Sequence, residues 1–158
     1  LITTNLLYIM KIYKCRKVQT PTRGTERSAG IDFYMPDGDN ETVIHPHSDV
    51  LIPSGIYAEI PKGYMLIFAD KSSICTKKKL FIGAKVIDED YQGEIHIHLI
   101  NWSNDYVKIT PNQKIAQAIL VPVNYESVSE YMSKDLLWNG QKTERGTGGF
   151  GSTSNEPF

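Results

Sequence analysis

The segment Val86-Ile-Asp-Glu-Asp-Tyr-Gln-Gly93 sets Asp88, Glu89, Asp90 and Tyr91 between two apolar runs. Carboxylates this close together can orient a water and take its proton, or hold Mg2+ through its water shell. A solvated acidic turn has the same composition. Upstream, Asp70-Lys-Ser-Ser73 offers the ammonium of Lys71 and the hydroxyls of Ser72 and Ser73. That donor set suits a phosphate and is equally the make-up of a polar turn. Asp32, in Ala29-Gly-Ile-Asp32, is a further carboxylate at the start of an apolar run, and Gln113-Lys-Ile-Ala-Gln117 alternates polar with apolar. Near its end the chain carries Arg145-Gly-Thr-Gly-Gly-Phe-Gly-Ser-Thr153. Glycines there let successive backbone N–H groups turn toward one anion, Ser152 and Thr153 add hydroxyl donors, and Arg145 supplies a fork for phosphate oxygens. Phe150 has no apolar neighbour in this stretch, and its flat face suits a nucleobase. A Gly/Ser-rich tail with no ligand reads the same way.

Such groups need a scaffold, and the dominant period of the chain is two. Ile56, Ala58 and Ile60 alternate with Tyr57 and Glu59, and Ile95, Ile97 and Leu99 alternate with His96 and His98. Tyr64 to Ala69 is apolar on both faces, as a strand buried between neighbours would be. Pro36-Asp-Gly38, Pro53-Ser-Gly55 and Pro61-Lys-Gly63 punctuate these runs. Short strands with this punctuation predict an all-β sandwich or barrel. One helix is a candidate, with Ser127 and Glu130 as a capping box ahead of Tyr131, Met132, Leu136 and Leu137; an edge strand over Tyr125 to Trp138 is the alternative.

A length of 158 residues fits one domain, and a net charge of −1 provides no global field toward nucleic acid or an anionic membrane. A polyanionic ligand must then be held by local cations, backbone N–H groups or a metal. Cys15 and Cys75 are far apart with no CxxC spacing, which favours free thiols in a reducing compartment. The expected location is intracellular and cytoplasmic, with the nucleus or a virus-infected host cell as alternatives. Residues 1–10 read as an N-terminal extension, too short for a membrane span.

In order along the chain, these segments resemble the motifs of the trimeric dUTPase family. They stand as Ala29-Gly-Ile-Asp-Phe-Tyr34, Asp70-Lys-Ser-Ser-Ile74, Gly83-Ala-Lys-Val-Ile-Asp-Glu-Asp-Tyr-Gln-Gly93, Asn112-Gln-Lys-Ile-Ala-Gln117 and Arg145-Gly-Thr-Gly-Gly-Phe-Gly-Ser-Thr153. The resemblance implies an all-β, distorted jelly roll (a β-clip type barrel) over residues 11–144, and a flexible Gly-rich tail over 145–158 that closes the active site. It implies a homotrimer with shared active sites that hydrolyses dUTP to dUMP and pyrophosphate with Mg2+. The reaction lowers dUTP and supplies dUMP for thymidylate synthesis. Asp88 matches the general base and Tyr91 the ring beneath the deoxyribose. Gly83, Ala84, Lys85 and Val86 match the hairpin that reads uracil through its backbone. Lys71, Ser72, Ser73 and Gln117 match phosphate contacts, and Asp32 a contact to the Mg2+ water shell, the metal resting mainly on substrate phosphates. Arg145, Gly151, Ser152 and Thr153 match the tail's clamp on the γ-phosphate, and Phe150 the ring stacked on uracil.

Three departures stand out. Lys71 replaces the family's usual Arg, Gln113-Lys114 replaces Asp-Arg, and Lys85 replaces a hairpin glycine. A φ > 0 at position 85 would strain lysine by roughly 1 kcal/mol or more. dCTP deaminase shares the fold, but its catalytic glutamate would fall where this chain has His98. A metal-binding barrel built on His45/His47 and His96/His98 is a reading from another class.

Overall fold

The computed structural model describes residues 10–38 and 41–148. Twelve strands and two short helices occur among them. A five-stranded antiparallel sheet carries most of the expected site. Its order is β2 (Thr22–Arg23), β3 (Ile31–Tyr34), β12 (Lys114–Pro122), β7 (Tyr64–Ala69) and β9 (Val86–Ile87). A second, three-stranded sheet sets β10 (His96–Asn101) between β5 (Asp49–Pro53) and β8 (Leu80–Ile82). Two pairs complete the all-β architecture: β1 (Lys11–Lys14) with β6 (Ile56–Glu59), and β4 (Thr42–Ile44) with β11 (Val107–Ile109).

The alternation read in the sequence is realised where it was clearest. Ile95, Ile97 and Leu99 are buried while His96 is exposed. On β7, Leu66 and Phe68 are fully buried and Met65 and Ile67 half-buried, as expected for an interior strand flanked by β12 and β9. Phe68 meets Phe33 edge-on at 5.1 Å between ring centroids, joining two strands of the five-stranded sheet in one core. Gly55 and Gly63 turn the chain at φ of 76° and 81°, in the left-handed region that a side chain disfavours.

One buried polar side chain organises the far end. Asn101 is fully enclosed; its amide nitrogen donates to the carbonyls of Ile44, His45 and Asp105, and its Oδ1 accepts from Ser103 N and Oγ. Buried polar atoms need partners, and here each is satisfied.

Contacts divide the chain into two compact units, Leu1–Asn124 and Tyr125–Phe158, a division that falls before position 144. All twelve strands lie in the first. In the second, helix α2 is a single turn, Lys134–Leu137, following Ser133 rather than the Ser127–Glu130 box, and Ser133 makes no side-chain cap. None of the described residues of this unit is buried. No helix among the described residues is long and apolar enough to cross a membrane.

Candidate active site

Strand β12 brings the first, second and fourth segments together. Gln117 lies opposite Asp32 on one side and Ala69 on the other. Its Nε2 donates to the Asp70 carbonyl at 2.8 Å. Gly30 is a glycine for a steric reason, since a Cβ there would stand 2.2 Å from Gln117 Oε1. A shift of register between Lys114 and Ala116 bulges β12, and bulges re-aim side chains. Lys114 points to Asp32, its Nζ 2.7 Å from Oδ2, while Lys71 Nζ sits 2.9 Å from Oδ1.

Asp32 is thus a buried carboxylate clasped by two ammonium groups. Burial alone would raise its pKa, but hydrogen bonds from Lys114 and Lys71 outweigh it and hold the carboxyl below its ordinary value. The same contact raises the Lys114 ammonium. Sequence reasoning placed Asp32 and Lys71 separately and gave Lys114 no partner; the pairing depends on the bulge, which has no local signature. Lys71 immediately precedes helix α1 (Ser72–Lys78), a helix start where a polar turn was the alternative to a phosphate-holding segment. Ile74 anchors that helix in the core, leaving Ser72 and Ser73 exposed at its start. Asp70 has a different task, accepting the Ile82 N–H at 2.7 Å and tying β7 to β8.

The hairpin between β8 and β10 carries the carboxylate cluster. Asp88 is exposed and follows the buried Ile87 directly. Its side chain makes no hydrogen bond or ion pair with a described residue. Glu89 is half-buried and accepts the Gly63 N–H at 2.5 Å, so the three acidic residues are not equivalent. Tyr91 folds its ring over Gly93, where a Cβ would meet the hydroxyl at 2.4 Å, and donates to the Glu94 carbonyl at 2.9 Å. With Tyr13 and Tyr57 it walls a cavity of about 510 Å³. The Glu94 carboxylate is fixed by Arg16, through Nε and Nη2 at 3.0 Å each, and by the Gly55 N–H at 2.8 Å. The Arg16 bond holds this carboxyl below its ordinary pKa.

The condition for strain at Lys85 is not met. The non-glycine residues with positive φ are His47, Lys79, Asn112 and Asn139 among those described, so lysine at 85 carries no left-handed strain. Its carbonyl accepts the Phe68 N–H at 2.8 Å, extending the β7–β9 ladder.

The two halves of the expected site are far apart within one chain. Ile87 pairs with Leu66, so Asp88 stands opposite Met65, four residues from Ala69 and ~13 Å along the strands. Asp32 lies three strand spacings from β9, ~14 Å across the sheet. Asp88 is therefore on the order of 20 Å from its own chain's Asp32–Lys71 group.

In the second unit, Arg145 Nε donates to the Gly148 carbonyl at 2.9 Å. Phe150, Gly151, Ser152 and Thr153 lie outside the described residues. The two histidine pairs do not converge on a metal. His45 stacks edge-on against Tyr106, and His47 Nε2 lies 2.8 Å from Asn104 Oδ1. No group of three or more His, Cys, Asp or Glu suited to a metal ion occurs among the described residues. Cys15 and Cys75 are unpaired.

A model of the dUTPase family matches residues 16–154. The chain is 36% identical over 135 residues to deoxyuridine 5'-triphosphate nucleotidohydrolase of Yarrowia lipolytica, covering 85% of this chain and 82% of the relative. It is 33% identical to that of Mus musculus, over 84% of this chain and 76% of the relative. Staphylococcus bacteriophage 80alpha dUTPase, solved with dUpNHpp, superposes with a TM-score of 0.78 at 21% identity over 92% of this chain and 98% of the phage chain, a likeness of fold. The chain belongs to the dUTPase family.

Proposed function

We propose that the chain hydrolyses dUTP to dUMP and pyrophosphate, with Asp88 as general base. The observation that carries this reading is Asp88 itself, an exposed carboxylate without a protein partner among the described residues, on the hairpin of the family's third motif. A water oxygen attacks the α-phosphorus while its proton passes to Asp88. The bond from that phosphorus to the α–β bridging oxygen breaks, and pyrophosphate leaves with the electron pair. The backbone of Gly83, Ala84, Lys85 and Val86 reads uracil, and Tyr91 lies beneath the deoxyribose, where a 2′-hydroxyl would clash. Lys71, Ser72, Ser73 and Gln117 hold phosphate oxygens. Arg145, Gly151, Ser152 and Thr153 clamp the γ-phosphate, and Phe150 stacks on the base.

Asp32 orients Lys71 and Lys114, one on each oxygen, and the remaining lone pairs serve the contact to the Mg2+ water shell. Mg2+ on the triphosphate, when bound, supplies charge neutralisation.

We infer that the active unit is a homotrimer. The phosphates that Lys71 would hold and the phosphorus that Asp88 must serve are neighbours on one molecule, yet these residues stand on the order of 20 Å apart in a single chain. A site built from several chains removes the gap. The exposed apolar side chains Val128, Met132, Leu136 and Trp138 give the second unit a surface for another copy to cover. A cytoplasmic location suits an enzyme of nucleotide pools.

Asp88→Asn is the test. Turnover should fall by about 10²- to 10⁴-fold with KM for dUTP nearly unchanged. The melting profile should stay put, because an exposed, unpaired side chain contributes within about 0.5 kcal/mol. Full activity, or an equal loss of binding and turnover, would remove Asp88 from the chemistry.

A further inference from the structure

His98 stands at the base of the hairpin just assigned to uracil, and both of its ring nitrogens are engaged. Nδ1 is 3.2 Å from the backbone nitrogen of Ala84, and Nε2 is 2.9 Å from Asp49 Oδ2. The ring also fills the space beside Gly83, where a Cβ would lie 2.1 Å from Nδ1. A backbone N–H can only donate, so Nδ1 must accept and carries no proton; the proton then resides on Nε2 and is donated to the Asp49 carboxylate. The contacts thus select one neutral tautomer. A second proton would set Nδ1–H against the Ala84 N–H, donor against donor.

His96, two residues along the same face of β10, behaves oppositely. Its Nδ1 lies 2.8 Å from the Glu94 carbonyl, so that nitrogen donates, and protonating the other one leaves the bond intact. Of the strands paired with β10, β5 brings Asp49 and β8 brings no titratable group, while the hairpin brings Lys85 beside Ala84 and, further along, Asp88, Glu89, Asp90, Tyr91 and Glu94. Asp49 attracts an imidazolium, whereas the Ala84 bond is lost on forming it. Protonation therefore exchanges a hairpin contact for a stronger contact with β5.

We propose that His98 is a positioning residue for the base-reading hairpin, holding Ala84 in its neutral form and releasing it when protonated, while backbone bonds keep Gly83, Lys85 and Val86 in place. The effect on substrate rests on the reading of this hairpin as the uracil site; the release of Ala84 does not.

The experiment compares wild type, His98→Asn and His98→Val in two readouts across about pH 5 to 8. Asparagine places Oδ1 near the position of Nδ1 and cannot take up the extra proton, whereas valine suits a strand and has no acceptor. In ¹⁵N-labelled full-length protein, the Ala84 amide of wild type should shift and lose exchange protection as pH falls. It should stay level in His98→Asn and be unprotected throughout in His98→Val. In steady-state hydrolysis, wild-type KM for dUTP should rise about fivefold on acidification, the order expected for one neutral hydrogen bond. KM should remain low in His98→Asn and high in His98→Val, with the kcat of each variant following wild type.

An Ala84 amide indifferent to pH in wild type, or wild-type pH dependence retained in His98→Asn, overturns the proposal. Should His98→Val fail to fold, His98→Asn alone decides between these outcomes. Should wild type not hydrolyse dUTP at all, the functional reading of the hairpin falls, and the amide series still decides whether His98 holds Ala84.

Discussion

Asp32→Asn perturbs the most heavily coupled group on the five-stranded sheet. The carboxylate side chain is 8% exposed and accepts from Lys71, 23% exposed, and from Lys114, 41% exposed. An amide of the same shape can keep one acceptor. The more enclosed Lys71 retains the oxygen, and the new NH₂ turns Lys114 out to water. Two charge-assisted hydrogen bonds then become one weaker bond. A charge-assisted bond is worth about 1.5–3 kcal/mol, and the partial exposure of both lysines discounts that. The expected loss is about 1–3 kcal/mol, a fall of roughly 2–10 °C in Tm for a domain of this size. Because the Asp32 carboxyl is held below its ordinary value of 3.8, its contribution is complete above that value and is lost as pH falls through the lower folded value. The difference between wild type and Asp32→Asn should therefore be constant from about pH 5 to 8 and shrink below about pH 4. Thermal melts at fixed protomer concentration across that range measure it, the fixed concentration guarding against linked assembly. A difference absent at pH 7, or as large at pH 3.5 as at pH 7, would refute the two-lysine account.

Three further outcomes follow from particular contacts. Gly30→Ala should displace the Gln117 side chain from the Asp70 carbonyl and destabilise by about 1–3 kcal/mol; an unchanged denaturation midpoint would show that the close approach is not required. Lys85→Gly, which restores the family's residue, should lower stability by about 0.5–1 kcal/mol because lysine there relieves no left-handed strain, and a raised midpoint would contradict this. Removal of residues 145–158 should abolish dUTP turnover while leaving the melt of the Leu1–Asn124 unit in place, and an active truncated enzyme would take the tail out of the mechanism.

What was legible in the sequence was whatever local chemistry decides. Proline–x–glycine turns and period-two burial announced an all-β chain, and both Gly55 and Gly63 take the left-handed turns their context called for. The motif residues were legible as chemistry-bearing types, and the family follows from their order. Helix α1 was not legible. Seven residues with a single buried side chain, Ile74, leave no periodic stripe, so tertiary anchoring rather than propensity forms it. The reach of the capping box was also misleading, because the stretch after Ser127 has no core in its own unit to fold against. Long-range register was least visible. Nothing near Asp32 announces Lys114, and nothing near Asp88 shows that β7 and β12 hold it away from Lys71. Strand pairing fixes both, through partners about twenty residues apart for β7 with β9 and more than forty for β12 with β3 and β7.

The enclosure of Asn101 bears on how the molecule ages. Deamidation exchanges nitrogen for a negatively charged oxygen, and here that oxygen would confront the carbonyls of Ile44, His45 and Asp105 at the distances where the amide now donates. Contacts that now attract would turn repulsive together, around a side chain fully enclosed by protein. Residue 101 is followed by the bulky Trp102, and its backbone is held in β10, two circumstances that oppose the ring closure by which asparagine deamidates. The join between β4, β10 and β11 is thus both intolerant of this chemical damage and shielded from it.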